Sequence, residues 1–380
     1  MPDVLIVGAG PVGLLLAGEL VSRGVEVELL EKRPATGAGS RAIGVHAPVL
    51  RALEDSGTTE ALLADATRVG RGEARAAGRL LGEVRFDRLS TRFPFVATLP
   101  QAATEAVLSA RAPDPLRGAT VWSILPRGDA VHVRYGHAGR PAEASAPLVV
   151  VAGGSASRDL VFRPDAVRMH QYRDTYLMTD APAPGTAPAD LAVIHLDRRG
   201  VLESFPLPGG RRRYVAWDAP GADPDPAARV ERLRTALAER GEAEASDSVT
   251  AAGAFGVRRV VAPRLRNGRI FVIGDAAHEV SPIGGQGMNL GLLDAATLAP
   301  LLAGWVRSGV APQAALQRWE QRRLASARTA ARLAGVNTSL GRSLPTLVDG
   351  MRRLAVRAML TRPLDRGFAR AYSMGLDRDA

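Results

Sequence analysis

Apolar residues fill Val4–Val7 without a break, stop at the turn Gly8-Ala9-Gly10-Pro11-Val12-Gly13, and return as Leu14, Leu15, Leu16, Ala17, Leu20 and Val21. The first run predicts a buried strand and the second a buried helix, which Gly24 ends. Val25, Val27, Leu29 and Leu30 then predict a second strand closing at Glu31. Strand, turn, helix and strand within about 30 residues make a βαβ unit. Apolar positions at Val45, Val49, Leu50, Leu53, Leu62 and Leu63 predict helix over 41–65, and 101–110 predicts another. Residues 121–125 and 131–135 read as a hairpin about Arg127-Gly128-Asp129, and 148–152 as a buried strand.

The pattern changes between 165 and 258. Alternation at 176–178, 191–196, 201–205 and 214–217, with loops rich in alanine and proline at 181–190 and 219–228, predicts an antiparallel sheet. Residues 269–273 return to parallel-strand character just before Gly274-Asp275. From 290 the chain reads as helical, with Gly and Pro breaks at 309–312 and 341–345. The expected class is therefore α/β: a Rossmann-like domain from 1–164 and 259–308, an inserted β-sheet domain from 165–258, and a C-terminal helical region from 309–380.

Composition narrows this reading. The chain has 380 residues, 46% of them hydrophobic, enough for two domains. Net charge is +10, carried almost wholly by arginine, since Lys32 is the only lysine. The arginines are scattered rather than clustered, so no nucleic-acid partner is expected. The arginines of the C-terminal helices read as a solvated face in preference to one resting on a membrane surface, or as part of a dimer interface. Absence of cysteine excludes disulfides, thiolate nucleophiles and Cys-type zinc sites. No metal site is expected, because the six histidines are dispersed and none are paired at helical i, i+4 spacing. The N-terminus lacks a basic leader, and the apolar run 295–306 is short and contains Pro300. A cytoplasmic protein without an integral membrane segment is expected.

Gly8, Gly10 and Gly13 match the G-x-G-x-x-G pattern between a strand and a helix. The first glycine allows the tight turn, the second lets pyrophosphate approach, and the third lets helix and strand pack closely. Pro11 and Val12 start the helix, whose amides face the phosphates. Glu31 is placed to accept hydrogen bonds from ribose hydroxyls and disfavours a 2′-phosphate. Arg33 is placed to stack near an adenine or to sit in solvent. Asp275, at a strand end, suits a polyol chain. Gly285, Gly287, Met288 and Asn289 would start a helix whose positive end favours charge developing on a ring.

Together these motifs resemble the flavoprotein aromatic hydroxylases, the single-component FAD monooxygenases. The resemblance covers most of the chain and implies a Rossmann-like FAD-binding domain with an inserted substrate sheet. It places Lys32 with the adenine-side motif. Ser40-Arg41-Ala42 looks like the family's flavin-side arginine site, Gln101 with Glu105 like its helix-opening pair, and Val121 like its adenine-side strand residue. Arg269, Asp275, Pro282 and Gly285 to Asn289 resemble the later FAD motif, and Trp319-Glu320-Gln321-Arg322-Arg323 the family's C-terminal region. Ending near 380, the chain would be a member without the thioredoxin-like C-terminal domain.

The implied chemistry is reduction of FAD by NADPH or NADH, formation of a flavin C4a-hydroperoxide, and hydroxylation of an aromatic or polycyclic small molecule. No side chain is assigned as catalytic; Pro282 and Arg41 are candidates near the flavin. Tyr176, Met178, His195, Phe205, Trp217 and Phe255 are substrate-pocket candidates, each also readable as core. His278 has a structural role by the same resemblance, and a monomer or homodimer is expected. One departure stands out: the family's Asp-Gly pair after its third parallel strand is Gly153-Gly154 here. That change leaves open an FAD-dependent oxidase or dehydrogenase, a ring-rearranging enzyme, or a non-catalytic FAD-binding partner protein. A halogenase would need an active-site lysine, and Lys32 is elsewhere.

Overall fold

Val4–Val7 lies at the centre of a mainly parallel sheet, because every one of its side chains is apolar and can be covered on both faces. It pairs in parallel with Leu148–Val151 and Val27–Glu31, and Ile270–Val272 extends the sheet in parallel beyond Leu148–Val151. The computed structural model describes residues 1–37, 42–89, 91–185, 187–361 and 364–379. The helices in chain order are α1 (Pro11–Val21), α2 (Ala47–Ala52), α3 (Thr58–Asp65), α4 (Gln101–Ser109), α5 (Pro226–Ala238), α6 (Ala243–Ser248), α7 (Gln286–Ser308), α8 (Gln313–Leu340), α9 (Thr346–Met359) and α10 (Leu364–Tyr372).

The second large sheet has eight strands, in the order His278–Glu279, Gly253–Val261, Met169–Pro182, Arg211–Asp218, Gly200–Leu207, Leu191–Asp197, Arg71–Ala76 and Arg79–Arg85. Its central pairings are antiparallel, as the alternation between 165 and 258 predicts. Two of its strands come from the hairpin at 71–85, which the sequence pattern did not reveal. Alanine and glycine occupy its inward positions Gly72, Ala74 and Ala76, so the usual β-branched signal is missing. Ala77 and Gly78 form its turn with φ of 48° and 73°.

Two further expectations need correction. The continuous helix over 41–65 is, within the described residues, a short strand Gly44–Val45 followed by α2 and α3, separated where Gly57 turns at φ 72°. The segment 226–248 is helical rather than sheet. Asp225 caps α5 through the Ala228 amide at 3.0 Å, Pro226 occupies its first turn, and Leu233 and Leu237 are buried. The apolar run 295–306 is part of the longer α7. By length and composition α7 alone could cross a membrane, among the described residues, but it is mostly buried within the fold.

Candidate active site

The two glycine motifs, about 270 residues apart in sequence, meet in space. A Cβ on Gly291 of α7 would lie 2.6 Å from Val12 Cγ2 and 3.0 Å from Gly274 Cα. Helix α1 therefore packs on α7 and on the Gly274-Asp275 turn with no room for a side chain. Gly8, at φ 108°, sits against the next strand's turn, where its Cβ would be 2.4 Å from Gly153 Cα. A Cβ on Gly13 would be 1.9 Å from the Gly8 carbonyl oxygen. Gly10 differs, since a Cβ there would meet nothing within 4 Å.

That open space belongs to a cavity of about 580 Å³. Gly10, Pro11 and Val12 line it with Glu31, Lys32, Arg33, Gln101 and Glu105. The first intrahelical bond of α1 runs from the Leu14 amide to the Gly10 carbonyl at 2.9 Å, so the earlier amides have no acceptor within the helix. The Glu31 carboxylate accepts from the Ala9 amide at 2.8 Å, the Arg33 amide at 2.9 Å and Arg33 Nε at 3.0 Å. Burial works against its ionisation, but these bonds and the Arg33 charge hold its pKa below the usual value. A carboxylate offers about four acceptor positions, so one remains for a ligand. Gln101 Nε2 donates to Glu105 Oε1 at 2.7 Å.

Gly153, Gly154, Asp275, Pro282, Gly285, Gly287 and Met288 continue the lining. Gly285, at φ 67°, precedes α7, whose amino end thereby points into the cavity. Asn289 locks this loop to the strand Gly44–Val45: its Oδ1 accepts from the His46 amide at 2.8 Å, and its Nδ2 donates to Gly44 at 2.8 Å and Gly285 at 3.0 Å. Burial pushes the His46 pKa down to about 4 against a hydrogen bond to Gly285, so the imidazole is neutral at pH 7.

Behind the Asp275 turn lies a buried ion network. Asp294 of α7 accepts from the Gly274 amide at 3.1 Å and is 2.6 Å from His278 Nε2. Arg323 of α8, with no solvent exposure, donates to Asp294 at 2.8 Å, Asp377 at 2.8 Å, Asp379 at 3.1 Å and the Leu290 carbonyl at 3.0 Å. Burial disfavours the Asp294 charge, but His278 and Arg323 outweigh it and hold its pKa low. His278 is itself fully buried in this network.

The rest of the cavity wall is the eight-stranded sheet, roofed by Val356, Met359 and Leu360 of the α9 end and by Phe368 and Tyr372 of α10. Strand periodicity decides which side chains reach it. From Gly200–Leu207 the inward residues are Val201, Glu203 and Phe205, while Leu202 packs against Leu233 and Leu237 on the far face. Glu203 is 3% exposed, and burial raises its pKa to about 8. An acid with a folded-state pKa above its unfolded value disfavours folding as pH rises between the two values. Glu203→Leu is therefore expected to be more stable than the parent at pH 8, on the order of a few kcal/mol, with the gain vanishing below the ordinary carboxylate range. Thermal melts across pH check this; a pH-independent difference would contradict it.

The sequence pattern of the FAD binding domain family matches residues 1–334. The chain belongs to the FAD binding domain family. This FAD-binding chain is 36% identical to 6-methylpretetramide 4-monooxygenase of Streptomyces rimosus over 80% of its own length, and spans only 56% of that relative. It is 31% identical to rifampicin monooxygenase of Rhodococcus hoagii, over 85% of this chain and 68% of that one. The structure of p-nitrophenol 4-monooxygenase from Pseudomonas putida DLL-E4 has the same fold, with a TM-score of 0.86, 20% identity and coverage of 100% and 99%.

The residues of the FAD-binding chain fit that cofactor. Gly10 leaves space beside helix amides that have no acceptor within the helix, which suits a pyrophosphate; Glu31 retains an acceptor position; and exposed Asp275 lines the same cavity as the α7 amino end. Of the residues singled out from sequence, Gly8, Gly13 and Asn289 shape the lining from behind. Val121 lies on the strand Thr120–Arg127, outside the lining. Arg41 lies outside the described residues. Met178, Phe205 and Phe255 line the cavity. Tyr176 does not, and stacks on Phe255 with centroids 5.8 Å apart. His195 is on the far face, 3.8 Å from Glu242, and Trp217 donates to Asp174 at 3.0 Å. Sequence reasoning passed over Glu203, although its parity with Val201 and Phe205 marks it as an acid on the inward face. It also passed over Phe368 and Tyr372, whose role depends on where α10 docks.

Proposed function

We propose that this chain is an NAD(P)H-dependent FAD monooxygenase that hydroxylates an aromatic or polycyclic small molecule. The observation carrying this reading is the continuity of one cavity from phosphate-suited helix ends to an apolar sheet wall. The relatives named as monooxygenases of 6-methylpretetramide and rifampicin support the same reaction class. Bound FAD would supply the redox chemistry, taking a hydride from NADH or NADPH and, once reduced, activating dioxygen.

The residues of this chain have simpler tasks. Gly10, Pro11, Val12, Gly13, Glu31, Lys32, Arg33 and Gln101 would hold the nucleotide part, with Gly8 and the more remote Val121 supporting that end. Asp275, Pro282, Gly285, Gly287, Met288 and Asn289 would hold the flavin part, with Arg41 nearby. Met178, Phe205 and Phe255 present apolar surface to an aromatic ring and help exclude water. In this reading residues 1–164 and 259–308 carry the cofactor, 165–258 supplies most of the substrate wall, and 309–380 closes it.

Gly153 replaces the acid of the usual Asp-Gly pair. A Cβ there would be 2.9 Å from Ser157 Cβ and 3.0 Å from Ser157 Oγ, so an aspartate needs Ser157 to move. Reduction is accordingly the step to test. Mixing the FAD-loaded protein anaerobically with NADH or NADPH in a stopped-flow instrument is expected to bleach the flavin, faster when a polycyclic phenol is present. Retained FAD with no bleaching by either nucleotide would sink the hydroxylase reading and favour an oxidase, a dehydrogenase or a non-catalytic partner protein.

A further inference from the structure

Glu203 is the one acid on the inward face of Gly200–Leu207, and its surroundings do nothing to satisfy it. It is 3% exposed, and the residues paired with it on the neighbouring strands are Ile194 and Val215, both apolar and both lining the cavity. Among the described residues, no hydrogen bond or ion pair to its carboxyl is present. Other charges lining this wall are matched among the described residues: Arg213 with Asp180 at 2.6 Å, Glu73 with Arg75 at 2.5 Å, and Arg258 with Glu279 at 3.2 Å. An isolated carboxylate in such a place is costly, whereas a neutral carboxylic acid is tolerated and carries a hydroxyl donor.

We propose that Glu203 is a specificity-determining residue that donates a hydrogen bond to a carbonyl oxygen on an uncharged polycyclic ligand. This rests on the aromatic-substrate reading above and adds the ligand's chemistry. The cavity would then favour ring ketones and quinones over the parent hydrocarbons. It would reject aromatic carboxylates, because no unmatched cation on this wall awaits them among the described residues.

Burial alone raises the Glu203 pKa to about 8, so the donor is present at neutral pH and lost in alkali. The titratable groups that interact with it are Tyr176 from Met169–Pro182 and Tyr372 from α10, both shifted upward, first by burial and then by the Glu203 charge. Asp174 also acts on Tyr176, and is itself paired with Arg342 at 2.8 Å. On α9, Arg352 and Arg353 both pair with Asp349. With these tyrosines protonated and the acids paired, Glu203 is, among the described residues of this wall, the group that changes charge near pH 8.

The test uses the FAD-loaded protein and three tricyclic probes: fluorene, 9-fluorenone and fluorenone-4-carboxylate. Dissociation constants are read from perturbation of the bound flavin's absorption, at about pH 6 and about pH 10, either side of the titration. The parent protein is expected to prefer fluorenone over fluorene about tenfold at the lower pH, the size of one good hydrogen bond, and to lose that preference at the higher pH. Glu203→Gln keeps an N–H donor that does not titrate, so its preference should persist at both pH values. Glu203→Leu should show none at either. Fluorenone-4-carboxylate should bind the parent more weakly than fluorenone throughout.

Equal binding of fluorene and fluorenone by the parent, or the same preference in Glu203→Leu, would overturn the assignment and leave the aromatic-substrate reading standing. If none of the three probes perturbs the flavin, the aromatic cavity itself is wrong and the Glu203 assignment falls with it.

Discussion

Replacing Arg323 with methionine is expected to destabilise the protein by about 3–5 kcal/mol, the range for removing one partner of a buried ion pair. Three carboxylates depend on this guanidinium: Asp294, Asp377 and Asp379. Asp294 is fully buried, so losing Arg323 leaves a charge with, among the described residues, only His278 and the Gly274 amide to compensate it. The damage should reach the end of the cavity proposed for the cofactor, because Asp294 holds the Gly274-Asp275 turn. Urea unfolding followed by circular dichroism measures the first effect, and flavin content after gel filtration the second. Lysine at 323 should recover only part of the loss, since an ammonium cannot match the forked contacts to Asp294, Asp377, Asp379 and the Leu290 carbonyl. A loss below about 1 kcal/mol would show that the network is not a structural anchor.

The second large effect concerns two glycines of one motif that do different work. Gly13→Ala places a methyl 1.9 Å from the Gly8 carbonyl oxygen, a backbone atom that cannot swing aside. Overpacking of this kind costs about 1–3 kcal/mol or more, and FAD content should fall at least about tenfold together with the melting temperature of the FAD-free protein. Gly10→Ala points its methyl into open cavity. Its FAD-free protein should melt like the parent, while FAD affinity drops because the methyl occupies the ligand's space. Fluorescence titration with FAD and melts of FAD-free protein separate the two cases. If Gly10→Ala binds FAD as the parent does, that open space is not where the cofactor approaches.

Much of the part proposed to hold the nucleotide was legible because its signals are local. A four-residue apolar strand, glycines at fixed spacing and an acid at the next strand's end lie within the first 31 residues. Helix α4 and the breaks between α7, α8 and α9 were legible for the same reason, since periodicity and Gly or Pro punctuation need no partner. Helices α5 and α6 were missed although Asp225-Pro226 announces a helix start, because the sheet pattern on either side dominated the reading. The 71–85 hairpin was missed because glycine and alanine on its inward face hide its alternation.

The sheet wall proposed to face the substrate was legible only in outline. Tyr176, His195 and Trp217 have the right composition for a pocket, but one stacks behind Phe255, one faces α5 and α6, and one is tied to Asp174. Which aromatic side chain reaches a cavity depends on strand register and on what covers each face, and neither is a local property.

By itself the sequence determined that this chain folds around a parallel βαβ core, carries two glycine motifs suited to one long nucleotide cofactor, and contains an alternating segment able to form a second sheet. These features follow from near neighbours and short-range sterics. Tertiary structure alone decided that the two motifs touch through Val12, Gly274 and Gly291, that Arg323 ties the second motif to the tail at Asp377 and Asp379, and that Glu203 faces the cavity with no partner among the described residues. Each of these joins residues distant in sequence, and close packing in three dimensions, not pattern along the chain, determines which of them meet.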